Sequence, residues 1–217
     1  MPIRVFLADD HAIVRDGLRV LLEAQGDIQV VGAASDGRQT VELAKQLLPD
    51  LVIMDIAMPG LNGIDAAEHI RRACPSVRVL MLSMYSTAEH IVRALNAGAQ
   101  GFLLKESAGA EVVQAVRSIV AGRPYFSEKI LDAGILPLAD RRLGAPFKSP
   151  LDRLSARERQ VLQLVAEGKT SAQIAGMLHL SPKSVETYRS RLMHKIGVND
   201  LPALVKFAVQ HGLTTLN

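Results

Sequence analysis

Five short apolar runs, at 3–8, 29–34, 51–54, 77–82 and 101–104, alternate with amphipathic stretches at 13–22, 40–48, 64–72, 88–95 and 111–120. No other feature restricts the fold so tightly. A strand that is apolar on successive residues needs cover on both faces, and parallel strands joined by crossover helices supply it. Residues 1–121 are therefore expected to form an α/β domain, a five-stranded parallel sheet with helices on both sides. In such sheets a ligand binds beyond the carboxyl ends of the strands, where the chain order switches direction.

Those strand ends carry the chemistry. The first ends in Asp9-Asp10, the third in Asp55, the fourth in Ser83 and the fifth in Lys105. One aspartate closing a strand is commonplace, because turns favour it, and Met58-Pro59-Gly60 and Gly63 do break the chain just beyond Asp55. In a doubly wound, flavodoxin-like order of 2-1-3-4-5, however, three acids, a hydroxyl and a lysine converge on one rim. Clustered carboxylates repel unless a cation sits among them. Mg²⁺ suits them, taking carboxylate oxygens, a backbone carbonyl and waters. With charge balanced, a carboxylate can attack a phosphoryl group, and Lys105 and Ser83 can hold its oxygens. Asp55, on the central strand, is the expected nucleophile.

Two enzyme readings fail on single residues. Phosphatases of the haloacid-dehalogenase type need a second acid two residues after the nucleophile, and that position is Ala57. "EGKTS" at 167–171 is similar to the end of a phosphate-binding P-loop, but the first glycine would fall at Gln163. His11 lies beside the acids, where a solvated helix start explains it better than a ligand role. The single Cys74 excludes an internal disulfide and a cysteine metal cluster.

The overall charge of +3 hides an uneven distribution. Residues 1–147 hold 15 Lys+Arg against 17 Asp+Glu, whereas residues 148–217 hold 10 against 5. A compact basic back suits nucleic acid. Between the halves, residues 122–150 lose periodicity and contain four prolines, as expected of a linker, with a short amphipathic piece at 128–136. Residues 151–217 are expected to form a small all-α, four-helix domain. Ser155 with Glu158 makes a capping box, Thr170 opens a second helix, and Ser181-Pro182 starts a third; 199–210 makes the fourth. Helices at 170–178 and 181–196, broken at His179-Leu180, have the dimensions of a helix-turn-helix. In the third helix Val185, Tyr188, Leu192 and Ile196 form a buried stripe. At 100° per residue, Lys183, Glu186, Thr187, Ser190, Arg191 and His194 gather opposite it, with Arg189 and Lys195 at the flanks.

These motifs carry a resemblance. Asp9-Asp10, "MDIAMPGLNG", Ser83 and "GFLLK" are similar to the receiver domain of two-component response regulators. "LSARERQVL", "AEGKTSAQIA", "LSPKSVETYRSRLMHKIG" and the final "HGL" resemble the LuxR-type DNA-binding domain. The whole chain thus resembles the NarL/FixJ family of response regulators. A quorum-sensing LuxR protein shares the back module, but its front half is a ligand-binding domain. The resemblance implies that Asp55 accepts phosphate from a sensor histidine kinase, with Asp9, Asp10, Asp55 and the Ala57 backbone carbonyl serving Mg²⁺. It implies that Ser83 and Lys105 meet the phosphate, and that Ser83 and Phe102, an aromatic that turns inward, form the switch. Tyr188 stands where the family often has His, and Glu186 where a base-facing Lys often stands.

The expected function is a transcription factor switched by phosphorylation and not an enzyme, beyond taking phosphate from small donors and shedding it. Expected partners are the kinase, promoter DNA and a second copy of the chain, with RNA polymerase a further candidate. No apolar run reaches membrane-spanning length, and the start meets acids too early for a signal peptide. The cytoplasm is the expected location.

Overall fold

A computed structural model describes residues 1–84, 87–132 and 149–214. The front domain runs β1 (Ile3–Ala8), α1 (Ala12–Glu23), β2 (Ile28–Ala34), α2 (Gly37–Leu47), β3 (Leu51–Asp55), α3 (Gly63–Ala73), β4 (Arg78–Ser83), α4 (Ala88–Ala97), β5 (Gly101–Leu104) and α5 (Ala108–Val120). It ends with β6 (Tyr125–Phe126) and α6 (Glu128–Asp132). The strands are parallel in the order β2-β1-β3-β4-β5-β6.

Alternation along each strand divides the core between the two faces. Phe6, Ala8, Val52, Met54, Val79, Met81, Phe102 and Leu104 face Val41 and Ala44 of α2, Ile64 and Ile70 of α3, and Ile91 of α4. Val5, Leu7, Leu51, Ile53, Leu80, Leu82 and Leu103 face Leu18 and Leu22 of α1 and Val112, Val116 and Ile119 of α5. Cover on both faces is why the strands read as unbroken apolar runs.

The sheet has six strands, not five. Tyr125 and Phe126, within the stretch expected to be linker, pair with Gly101 and Phe102 at the edge. Two residues are too few to show a period. The amphipathic piece expected at 128–136 is helical over Glu128–Asp132; its remainder, and the linker from 133 to 148, lie outside the described residues.

The back domain opens with a 3₁₀ turn, Pro150–Arg153, closed by a Ser149–Asp152 capping box. Then come α7 (Ala156–Ala166), α8 (Ser171–Leu178), α9 (Pro182–Ile196) and α10 (Leu201–Gln210). Ser155 and Thr170 cap as their sequence signatures indicated, each with its reciprocal Glu158 or Gln173 bond. His179, at φ 53°, ends α8 in the left-handed region and turns the chain into α9. One core, including Leu162, Ile174, Leu178, Val185, Leu192, Leu204 and Leu213, joins all four helices. Among the described residues no helix is long and apolar enough to cross a membrane.

Candidate functional site

The strand order brings the ends of β1, β3, β4 and β5 together as the sequence indicated. Asp55 closes β3 and is 3% exposed; Asp9, just past β1, is 1% exposed, and Ser83, the last residue of β4, is 2% exposed. Lys105 follows β5 and places Nζ 2.8 Å from Asp9 Oδ2 and 2.8 Å from Asp55 Oδ2. Asp55, Ala57, Ser83 and Lys105 line one small cavity, with His11 at its side.

Local chain chemistry fixes this geometry. The Gly63 amide donates to the Ile56 carbonyl at 2.8 Å, bringing the start of α3 against the end of β3. A Cβ at Gly63 would lie 2.0 Å from the Asp55 carbonyl oxygen, so the approach requires glycine. Arg15 holds the Asp9 carbonyl at 2.5 Å. The His11 amide donates to Asp9 Oδ1 at 2.9 Å, and its Nδ1 lies 2.7 Å from Asp10 Oδ1.

Burial raises the pKa of Asp55 above its ordinary value, and the negative charge of Asp9 adds to this. The charge and hydrogen bond of Lys105 and a hydrogen bond from the Ala57 backbone oppose it without cancelling it. Burial works against the ammonium of Lys105, yet Asp55 and Asp9 together push its pKa up. The lysine therefore stays charged between two acids.

Asp9, Asp10, His11 and Asp55 each offer one ligand atom, and these atoms lie within 4.8 Å of one another. The oxygen donors suit a hard divalent cation such as Mg²⁺. The imidazole is already engaged with Asp9 and Asp10. The Ala57 backbone also lines the cavity. Phe102 is completely buried opposite Met81.

On α9, Val185, Tyr188, Leu192 and Ile196 turn to the core. Lys183, Glu186, Thr187, Ser190, Arg191 and His194 are exposed, and Arg189 is half-buried at the flank. Glu186 and Lys195 already hold partners on other helices. Glu186 accepts a short hydrogen bond from the Ser171 hydroxyl, bracing α9 against the start of α8. Lys195 pairs at 2.7 Å with Glu158 of the α7 capping box. Burial would raise the Glu158 carboxyl, but the bonds from Lys195 and Ser155 lower it.

The family profile of the response regulator receiver domain matches residues 5–117, and that of the bacterial regulatory proteins of the luxR family matches 152–208. The chain belongs to the LuxR/NarL family of response regulators. It is 37% identical over 213 residues to the transcriptional regulatory protein MctR of Rhizobium johnstonii, covering 98% of this chain and 96% of that protein. To the transcriptional regulatory protein LiaR of Bacillus subtilis it is 37% identical over 211 residues, covering 97% and 99%. Among solved structures it is similar to the RcsB response regulator of Salmonella typhimurium, described for its conformational dynamism in DNA interaction. That match has 27% identity and a TM-score of 0.67, over 97% of this chain and 98% of the other. This response regulator therefore joins a receiver to a LuxR-type DNA-binding domain.

The structure adds residues that carried no sequence signal. Gln163 of α7, noted above only as an obstacle to a P-loop, donates from Nε2 to the Met58 carbonyl at 2.8 Å and accepts from the Asn62 amide at 2.9 Å. Glu167 accepts from the Gly60 amide at 2.9 Å. Arg159 pairs with Asp65 at 2.9 Å and Glu68 at 3.4 Å. From α4, Arg93 donates to the His211 carbonyl at 2.9 Å, and Glu89 binds Ser149 at 2.6 Å and His211 at 2.9 Å. These contacts join residues roughly 60 to 120 apart in sequence, and no local pattern encodes them.

Proposed function

We propose that this response regulator is a transcription factor switched by Mg²⁺-dependent phosphorylation of Asp55 from a sensor histidine kinase. One observation carries the reading: Lys105 Nζ stands 2.8 Å from both Asp9 and Asp55. A strand-end carboxylate is thereby paired with a fixed cation beside a set of hard oxygen donors. A carboxylate oxygen of Asp55 attacks phosphorus as the phosphorus–nitrogen bond of the donor phosphohistidine breaks. The imidazole leaves with the electron pair and takes a proton. Lys105 and the Ser83 hydroxyl hold the transferred oxygens. Asp9, Asp10, Asp55 and the Ala57 carbonyl would hold Mg²⁺, which would supply positive charge to offset that of the acids and the phosphoryl oxygens.

The division of labour is a receiver at 1–121, a linker at 122–150 and a DNA-binding domain at 151–217. Thr187 and Ser190 face the bases, with Glu186 beside them tied to Ser171. Lys183, Arg189, Arg191 and Lys195 flank them toward phosphates. One small module reads few bases, so two act together on adjacent half-sites as a homodimer. Ser83 and Phe102 relay phosphorylation to a change in dimerisation or in domain docking, and promoter binding and contact with RNA polymerase follow. The bonds between α7 and the β3–α3 loop, which begins at the phosphoacceptor, favour domain release as the route.

Incubation with acetyl phosphate and Mg²⁺ tests the assignment. The expected result is one acid-labile, hydroxylamine-sensitive phosphoryl group per chain, absent in Asp55→Asn. Equal labelling of that variant refutes it.

A further inference from the structure

An open groove of about 390 Å³ lies between α2 of the receiver and the helix-turn-helix, and it shares no lining residue with the cavity over Asp55. Small-molecule sites commonly have this size. Arg38, Val41, Glu42 and Lys45 reach it from α2, where spacings of three and four residues put them on one helix face. Arg157 and Gln160 of α7, at the same spacing, line it from the DNA-binding domain, together with Met177 and Leu178 at the end of α8.

The lining combines apolar surface with uncompensated positive charge. Val41, Leu61 and Leu178 are buried side chains. Arg38, Lys45 and Arg157 face the single carboxylate of Glu42, which Lys45 already holds at 2.9 Å. Both guanidiniums are half-buried, and neither has an acid partner among the described residues. Arg38 gives one N–H to the Met177 carbonyl at 2.6 Å, and Arg157 gives one to Gln160 at 3.2 Å. Each guanidinium has five N–H donors in a planar fork, so most of that capacity is unused.

Two half-buried cations lining one groove with no acid between them lose hydration and gain no Coulombic return. An anion supplies that return, and the fork geometry matches a carboxylate, sulfonate or phosphate. A bare inorganic ion would leave the apolar lining wet. An anion on an apolar body covers it.

We infer that this groove binds a small organic anion, an apolar ring or chain bearing one carboxylate, sulfonate or phosphate group. Arg38 and Arg157 take the charged end, and Val41, Leu61 and Leu178 meet the apolar end. The ligand touches one guanidinium from each domain, beside the turn that leads into α9. It is a non-covalent input separate from phosphorylation, and it stands whether or not Asp55 is the phosphoacceptor.

The test titrates the full chain with the fluorescent anion anilinonaphthalene sulfonate and, in parallel, with its uncharged counterpart phenylnaphthylamine. Arg157→Ala should weaken the saturable sulfonate site about ten-fold or more, the loss expected for a hydrogen bond to a charged group. Gln160→Glu removes no contact between the domains among the described residues and sets a carboxylate against Arg157; it should weaken the site similarly. Neither substitution should alter binding of the uncharged probe, and equimolar inorganic phosphate should not displace the sulfonate. Wild-type sulfonate affinity in either variant overturns the site. Equal loss of both probes overturns the role of charge, and displacement by equimolar phosphate overturns the role of the apolar body.

Discussion

Gln163 Nε2 donates to the Met58 carbonyl at 2.8 Å, so a completely buried amide of the DNA-binding domain rests on the loop that leaves the phosphoacceptor strand. Its Oε1 accepts from the Asn62 amide of the same loop at 2.9 Å. The loop that follows Asp55 is therefore part of the domain interface.

Gln163→Ala should leave the Met58 carbonyl and Asn62 amide without these partners, costing about 1–3 kcal/mol of docking. Small-angle scattering should show a larger radius of gyration for the variant, while each domain keeps its helical signal. An unchanged radius would mean that this contact does not hold the domains together.

Acid should weaken the contacts of Glu89. Burial would raise the Glu89 carboxyl, but hydrogen bonds from His211 and Ser149, with the charges of His211 and Arg93, lower it to about 2. A carboxylate with a depressed pKa contributes stability that is fully present above its ordinary value and is lost as pH falls through the depressed one. The contribution should therefore fade from about pH 4.5 down to about 2. Glu89→Gln should be less stable than wild type at neutral pH, and the difference should vanish across that window. A gap that stays constant down to pH 2 would contradict this.

Removing carboxylates should remove the metal. Asp9→Ala and Asp10→Ala should each weaken Mg²⁺ binding by more than about ten-fold, since even outer partners of a site are worth that much. The unphosphorylated fold should persist. Calorimetric titration with Mg²⁺ decides it, and wild-type affinity in both variants would remove the proposed site.

On DNA, residues of one helix should separate by what they already bind. Arg191→Ala should lower the salt dependence of binding by about one unit, as expected for one phosphate contact. Lys195→Ala should lower it by less, because Glu158 already holds that ammonium at 2.7 Å. Glu186 is tied to Ser171. Glu186→Ala should thus raise affinity on all sequences by removing a negative charge, with base preference intact. Relaxed preference at a single position would instead make it a base reader.

The parts legible in sequence were those with a local code. Fully apolar strands fixed the layers, and polar residues at their ends, Asp9, Asp55, Ser83 and Lys105, marked the rim because parallel topology gathers strand ends. Ser155 and Thr170 announced their helices through capping chemistry. Tyr125–Phe126 escaped because an edge strand of two residues has no period. Glu186 and Lys195 read as free face residues because their partners, Ser171 and Glu158, lie on other helices. Gln163 and Arg93 stayed silent for the same reason: each acts across the domain interface.

The central claim is that phosphate on Asp55 controls DNA binding, and binding to a site selected with the phosphorylated protein tests it most directly. With acetyl phosphate and Mg²⁺ present, wild type should bind that site about 5–150-fold tighter than without the donor, the usual range for coupled sites. Asp55→Asn should show no response. Equal wild-type binding with and without the donor, or a response that survives in Asp55→Asn, would contradict the account.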